Sequence, residues 1–258
     1  MPIRIKKAIL ELPSDQWAGG GSGLAFKAHR MVRGLAGGAA LLLATVLVTG
    51  CTPPRYTYIT DSNNSMYFKV PYGWHQVNSS DLCDIVALSQ GAKTCPAAWR
   101  VAYEADSSPS AYDYVPFDAD STPFVYAMAE PYTPPNGQSP DQDPLTAETL
   151  EDFFMPFTTQ AQEQEQEQAA EQGQQYPLSH FKQLRDEPVT LQGGFTGYRQ
   201  TFDYTDSPTG ISDTFDEVIL TNSSGSTIYL LVTHCTTTCY SQHETAINDV
   251  MSSFTVRS

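Results

Sequence analysis

Four residues within ten positions carry the sharpest chemistry in the chain: His234, Cys235, Cys239 and His243, a His-Cys-x3-Cys-x3-His run. Imidazole and thiolate are both zinc ligands, and zinc accepts mixed sets of four. Oxidation of the two cysteines to a disulfide would remove both thiolates at once. The run straddles the expected end of a strand and start of a helix and matches no finger spacing, which favours the disulfide. The expectation is therefore no bound metal, with His234 and His243 as the residual metal candidates. Other reactive constellations are sparse. The chain has no Gly-x-Ser-x-Gly elbow, no phosphate-cradling P-loop and no EF-hand pattern. His75 and His180 stand apart from any serine motif and read as surface or satisfied core residues. Carboxylates are so abundant that Asp203 with Asp206, or Asp213 with Asp216, carries no information about acid–base work. The sequence thus assigns no catalytic residue and no cofactor, and a non-enzyme is the expectation.

Whether those cysteines oxidise depends on the compartment, and the N-terminal segment speaks to that. Arg30 and Arg33 precede an apolar run from Ala39 to Val48, which closes on Val48-Thr49-Gly50-Cys51. At about ten to fifteen residues the run falls short of the roughly 20 that span a bilayer and fits the apolar part of a signal peptide. These residues resemble the lipobox of bacterial lipoproteins. The resemblance implies cleavage before Cys51, lipid on Cys51, and a protein held by its acyl chains at the extracytoplasmic face of the cell membrane. Residues 1–30 are long and mixed for a signal, with Glu11, Asp15 and Gly19-Gly20-Gly21, so Met31 is the expected true start. The expected organisation is residues 1–50 as extension and signal, 51–55 as a short tether, and 56–258 as a single extracytoplasmic domain. A loop insertion falls at about 106–144.

With Cys51 committed to lipid, Cys83, Cys95, Cys235 and Cys239 remain, an even number in an oxidising setting. Three pairings are open. Local closure of Cys83 with Cys95 and of Cys235 with Cys239 makes the shortest loops, and each staple would add about 2–3 kcal/mol.

Charge narrows the partners. The first 50 residues hold six Lys/Arg and two Asp/Glu, so the chain from Cys51 onward has eight basic against 27 acidic residues, a formal −19. Such a surface repels phosphate backbones, whose binding requires clustered cations, and nucleic acid is excluded as a partner. Anionic headgroups are disfavoured as well, which leaves the acyl chains alone to hold the membrane.

The elements that position these residues are mostly strands. Alternating or aromatic-rich runs predict strands at Tyr56–Thr60, Met66–Val70, Trp99–Tyr103, Pro123–Glu130 and, in the C-terminal third, Phe181–Leu184, Glu187–Leu191, Gly197–Tyr204, Thr214–Thr221 and Thr227–His234. Asn222-Ser223-Ser224-Gly225 predicts a hairpin. A helix is expected from Thr146, with Leu150, Phe153, Phe154 and Phe157 on one face and Pro156 kinking or splitting it. Its Gln/Glu-rich continuation, Gln162 to Gly173, lacks an apolar stripe and reads as exposed helix. A last helix from Tyr240 or Ser241 to Ser253 has a capping box, Ser241-Gln242-His243-Glu244, and the stripe Ile247, Val250, Met251, Phe254.

Phe68-Lys69-Val70-Pro71-Tyr72-Gly73-Trp74 near the start and Ile247 to Phe254 at the end resemble the PsbP-like superfamily, which includes exported lipoproteins of actinobacteria. The resemblance implies an α+β fold, a mainly antiparallel sheet flanked by helices in an α/β/α sandwich. It also implies an accessory or binding role, with no shared catalytic residues to carry over. Fourteen tyrosines suit either a half-buried sheet or a contact surface for protein or glycan. The functional expectation is a lipid-anchored, non-catalytic binding or accessory module of the cell envelope, its partner an envelope protein or glycan. The alternatives are an envelope enzyme and a metal-binding protein.

Overall fold

The computed structural model describes residues 54–257, apart from Asn64, Gln90, Asp120, 135–138 and Asp141. Cys51, the signal segment and most of the expected tether lie outside the described residues. The chain opens with β1 (Tyr56–Thr60) and β2 (Met66–Pro71), paired antiparallel. The turn between them is built on Asp61, whose buried carboxylate accepts from the Ser65 and Met66 amides at 2.6 and 2.9 Å and from the Ser65 hydroxyl at 2.7 Å.

After β3 (His75–Gln76) comes α1 (Ser79–Ser89). Its start is set by Asn78, whose side-chain oxygen accepts from the Ser80 amide at 2.9 Å while its carbonyl takes the Leu82 amide. That is N-cap chemistry, and it starts a helix absent from the elements expected from sequence. Leu82, Ile85 and Val86 form the helix's buried side.

Strands β4 (Trp99–Glu104) and β5 (Phe124–Pro131) follow, then α2 (Thr159–Glu171), β6 (Leu178–Leu191), β7 (Phe195–Asp206), β8 (Ser212–Thr221), β9 (Thr227–Thr236), α3 (Thr237–Met251) and β10 (Thr255–Val256). They form a seven-stranded antiparallel sheet in the order β3-β4-β5-β9-β8-β7-β6, and a three-stranded one, β1-β2-β10. The fold is α+β and mainly antiparallel, the class expected. Helices lie on both faces of the large sheet. One face of the large sheet is covered by α1, a 3-10 turn at Ala111–Tyr114 and aromatic loops; the other is covered by α3 side by side with the small sheet. No helix among the described residues is long and apolar enough to cross a membrane.

Three element boundaries differ from expectation. The aromatic run after Thr146 is a single 3-10 turn, Glu148–Leu150, and the helix begins only at Thr159. Pro156 interrupts the helical ladder, and Asp152 takes the freed groups, accepting from the Phe157 and Thr158 amides at 2.8 and 2.7 Å and the Thr158 hydroxyl at 2.8 Å. Phe154 and Phe157 still enter the core, from irregular backbone. The Gln/Glu run is α2 itself, with no buried residue. The two strands expected within 181–191 are one bulged edge strand, β6, whose register shifts twice between Ser179 and Arg185. The last helix begins at Thr237, because the Thr236 hydroxyl caps it by accepting from the Cys239 amide at 3.2 Å; Ser241 instead donates to the Thr238 carbonyl.

Gly197 makes the tightest approach to a neighbour among the described glycines of the large sheet. A Cβ there would stand 1.9 Å from the Ile219 carbonyl oxygen on β8. Gly197→Ala is expected to cost about 3 kcal/mol by overpacking against backbone that cannot rotate away, measured as a lower midpoint in urea with an unchanged slope.

Candidate functional site

A group of buried polar side chains sits at one end of the large sheet, where β4, β5, β9 and β8 lie abreast. Glu104 pairs with Phe124, Phe124 with His234, and His234 with Phe215. Residues paired across an antiparallel ladder point to one face, so the four side chains form a row. Asp213 lies two residues before Phe215 and therefore on the same face. Asp113, Phe117 and Thr122 of the connection between β4 and β5 lie against this row.

His234 lies between two aromatics, stacked on Phe215 with ring centres 5.6 Å apart and tilted against Phe124 at 5.4 Å. Its Nδ1 stands 3.7 Å from Asp213 Oδ2, and both residues are buried. That separation exceeds hydrogen-bond length; among the described residues neither ring nitrogen of His234 has a hydrogen-bond partner, nor does Asp213 Oδ1. Asp213 Oδ2 is engaged by the Phe117 amide at 2.7 Å. Phe117 has φ of +74°, a strained region for a bulky residue, and this hydrogen bond helps to hold it there.

Glu104 anchors the other end of the loop. It accepts from the Ser110 amide at 2.9 Å and the Thr122 hydroxyl at 2.8 Å. Asp113 is pushed up to about 7, first by burial and then by the negative charge of Glu104, to which it also hydrogen bonds, with further repulsion from Asp118 and Asp106. The Asp113 carboxyl therefore holds a proton through much of the range in which an ordinary aspartate has lost it. Because the native pKa lies above the unfolded one, stability is full below the ordinary aspartate range and declines as pH rises toward 7. Asp113→Asn is expected to raise Tm at pH 8 more than at pH 4, by differential scanning calorimetry at both values.

The crevice bounded by Asp113, Phe117, Thr122, Asp213 and His234 has no room for a water molecule. A His–Asp pair is two parts of a nucleophilic triad, but no hydroxyl among the described residues lies within hydrogen-bond reach of either His234 nitrogen. Beside this closed crevice lies an open cleft of 330 Å³ between α1 and the 3-10 turn, lined by Asn78, Asp81, Asp84, Ser110 and Tyr112. Tyr112 is exposed there. The cleft offers carboxylate and amide oxygens next to an aromatic face.

The structure separates the His/Cys run. Cys235 and Cys239 are joined, with Cα atoms 5.9 Å apart, and Cys83 is joined to Cys95 at 5.4 Å. Strand alternation sends Cys235 toward α3 and His234 to the opposite face, while His243 is exposed on α3. No group of three metal-ligating side chains is assembled among the described residues. His75 and His180 are both exposed, His180 in the β6 bulge with Nδ1 3.1 Å from the Ser179 hydroxyl.

Several buried polar residues were not singled out by sequence. Arg100 lies beneath the Cys83–Cys95 bridge, donating to the Pro96 carbonyl at 2.8 Å and standing 3.8 Å from Glu130. Asp216 and Glu217 are both buried, on opposite faces of β8. A bulky basic residue in an otherwise alternating strand, such as Arg100 in Trp99-Arg100-Val101-Ala102-Tyr103, is the one signal of this kind that sequence offers.

No family profile matches the chain, and no curated protein does. Among solved structures, the chain is similar to the cyanobacterial PsbP protein CyanoP from Synechocystis sp. PCC 6803, at 14% identity over 81% of this chain and 96% of that one, with a TM-score of 0.42. It is also similar to LpqN, a Mycobacterium tuberculosis protein involved in cell envelope biogenesis, at 13% identity over 79% and 91%, TM-score 0.43. A third is the Saccharomyces cerevisiae Ran-binding protein Mog1p, at 8% identity over 78% and 95%, TM-score 0.38.

Proposed function

We propose that this chain is a lipid-anchored, non-catalytic binding module on the extracytoplasmic face of the cell envelope. The observation that carries the reading is the pairing of the cysteines. Two disulfides use four of the five, and the fifth is Cys51. Bonds of this kind belong to an oxidising compartment, and the cysteine left over stands at the end of a lipobox-like segment. The open cleft beside Tyr112 supplies a place for an envelope ligand, either a glycan whose ring covers the tyrosine or a polypeptide loop that donates to Asp81 and Asp84.

Metabolic labelling with an alkyne fatty acid tests the anchor: label on the wild-type chain and none on Cys51→Ala is the expected result, and label retained on the variant sinks it. Capture of partners from detergent-solubilised membranes tests the binding role, with Tyr112→Ala expected to reduce recovery more than tenfold. Repeated recovery of free monomer alone counts against it.

The rival is an envelope enzyme, for which the buried Asp213 and His234 side chains, 3.7 Å apart, are the nearest approach to a catalytic pair. His234→Gln distinguishes the two, because a binding module keeps its capture in that variant while an enzyme loses turnover.

A further inference from the structure

The outer face of the small sheet is chemically unlike the rest of the domain. Register places Tyr58 opposite Lys69 and Tyr56 opposite Pro71, with Tyr67 opposite both Thr60 and Thr255. The alternate residues Ile59, Phe68 and Val70 are buried in the core beneath. Each tyrosine-bearing edge of the outer face carries a cation. Lys69 Nζ lies 4.2 Å from the centre of the Tyr56 ring, the Arg55 guanidinium 5.3 Å from the same ring, and the Arg257 guanidinium 5.0 Å from the Tyr67 ring. Tyr58 is 80% exposed, and Tyr72, whose amide bonds the Arg55 carbonyl, is 60% exposed.

Three of the eight basic residues after Cys51 are thus gathered on one small sheet of a domain whose formal charge is −19. The other five are placed differently. Arg100 and Arg199 are turned inward beside Glu130 and Asp216, Lys182 and Arg185 stand beside Asp203 and Glu187, and Lys93 is exposed in the loop between α1 and β4. Two acids belong to the small sheet's surroundings: Asp249 of α3, which accepts from the Tyr56 hydroxyl at 2.6 Å, and Asp61, which is spent on the β1–β2 turn. The three cations outnumber them.

We infer that this face lies against the phospholipid headgroups of the membrane that holds Cys51. The inference rests on the anchoring reading above. From Cys51 to Tyr56 the chain reaches roughly 17 Å at full extension, so the sheet that begins at Tyr56 is the part of the domain kept beside the bilayer. Tyrosine places an apolar ring and a polar tip at the depth where headgroups meet water. Lysine and arginine next to it attract anionic lipid within a Debye length of the surface, while the acidic remainder of the domain is repelled into the aqueous phase. The overall acidity of the sequence therefore does not leave attachment to the acyl chains alone: segregation of charge gives the domain a membrane side and an outward side.

The chain after Cys51 has three lysines, Lys69, Lys93 and Lys182, which makes amine footprinting a direct test. The acylated protein is reconstituted into vesicles of phosphatidylcholine, or of phosphatidylcholine with phosphatidylglycerol, and labelled with a membrane-impermeant amine reagent. The soluble Cys51→Ser chain without vesicles sets the baseline for each lysine. On the mixed vesicles Lys69 is expected to react about tenfold more slowly than its baseline while Lys93 and Lys182 keep theirs. Protection as strong on phosphatidylcholine alone overturns the choice of anionic headgroup. The mass of the Cys51 peptide from the same sample separates the two kinds of failure. An acylated Cys51 with Lys69 as reactive as its baseline overturns the orientation proposed here, whereas an unacylated Cys51 overturns the anchoring reading on which it rests.

Discussion

Glu217→Gln is expected to stabilise the domain, and to do so increasingly as pH rises from 5 to 8. Glu217 lies in the middle of β8, fully buried, and is pushed up to about 8, first by burial and then by the charges of Asp216 and Asp152. Its surroundings offer little compensation. With the Gln200 amide nitrogen turned toward it, Gln200 donates to Glu217 Oε1 at 3.1 Å and to the Glu151 carbonyl at 3.2 Å, while Oε2 has no partner among the described residues. In the unfolded chain the carboxyl ionises near the ordinary glutamate value of 4.5. Between that value and about 8 the native state keeps a proton that the unfolded state has lost, so stability falls with rising pH across this window. Each tenfold difference in proton affinity between the two states is worth about 1.4 kcal/mol, so the cumulative cost by pH 8 is roughly 3–5 kcal/mol. Glutamine matches the shape and hydrogen bonding of the protonated acid and has no charge to lose. Urea unfolding at pH 5 and pH 8 should therefore show the variant nearly level with the wild-type protein at the lower pH and clearly ahead at the higher. Equal destabilisation at both would mean that Glu217 is ionised and satisfied in the native state. Asp113 shifts in the same direction by a similar mechanism, so the Asp113→Asn variant serves as the control for its share of the pH dependence.

The parts of the fold that sequence made legible are those where one face is buried and the period is unbroken. Ile247, Val250, Met251 and Phe254 announce α3, and all four are buried against the sheet. Asn222 to Gly225 announces the β8–β9 hairpin, where the Asn222 side chain accepts from the Ser226 amide at 2.8 Å and Gly225 takes φ of +63°. Legibility failed where one residue type serves two purposes. Asn78-Ser79-Ser80 has the composition of a turn, yet the hydrogen bond that Asn78 makes caps a helix. The aromatics from Leu150 to Phe157 have helical spacing, but Pro156 and the Asp152 carboxylate make them a packed loop. The candidate site was the least legible of all. His234, Asp213 and Glu104 meet only because three ladders fix their register over more than a hundred residues, and nothing in the local sequence of any one of them reports the others. The His/Cys run shows the reverse: its members are near in sequence, but alternation along the strand puts His234 and Cys235 on opposite faces.

Removing the Asp216 carboxylate should cost the domain about 3–5 kcal/mol, the range for breaking a buried ion pair from one side. Asp216 is fully buried on the α3 face of β8. The Arg199 guanidinium of β7 grips it with two bonds, Nε to Oδ1 at 3.1 Å and Nη2 to Oδ2 at 2.8 Å, and the Tyr240 hydroxyl of α3 donates to Oδ2 at 3.0 Å. Arg199 also donates to the Asn248 side chain at 3.1 Å. The group therefore ties two strands to α3 at Tyr240 and Asn248. Burial works against the Arg199 charge, but the hydrogen bond and negative charge of Asp216 outweigh it and hold its pKa above the ordinary value. Asp216→Ala would leave that cation, whose side chain is only 17% exposed, facing an apolar gap. Tyr240→Phe removes one hydrogen bond and should cost about 1 kcal/mol. The double variant Asp216→Leu with Arg199→Met separates desolvation from packing: both charges are gone, so it should recover most of what Asp216→Ala loses, as paired replacements of buried ions do. A loss below about 1 kcal/mol in Asp216→Ala would show that water reaches Arg199 once its partner is removed. In that case the apolar contacts of Ile247, Val250 and Met251, with the Cys235–Cys239 bridge, would be what holds α3 to the sheet.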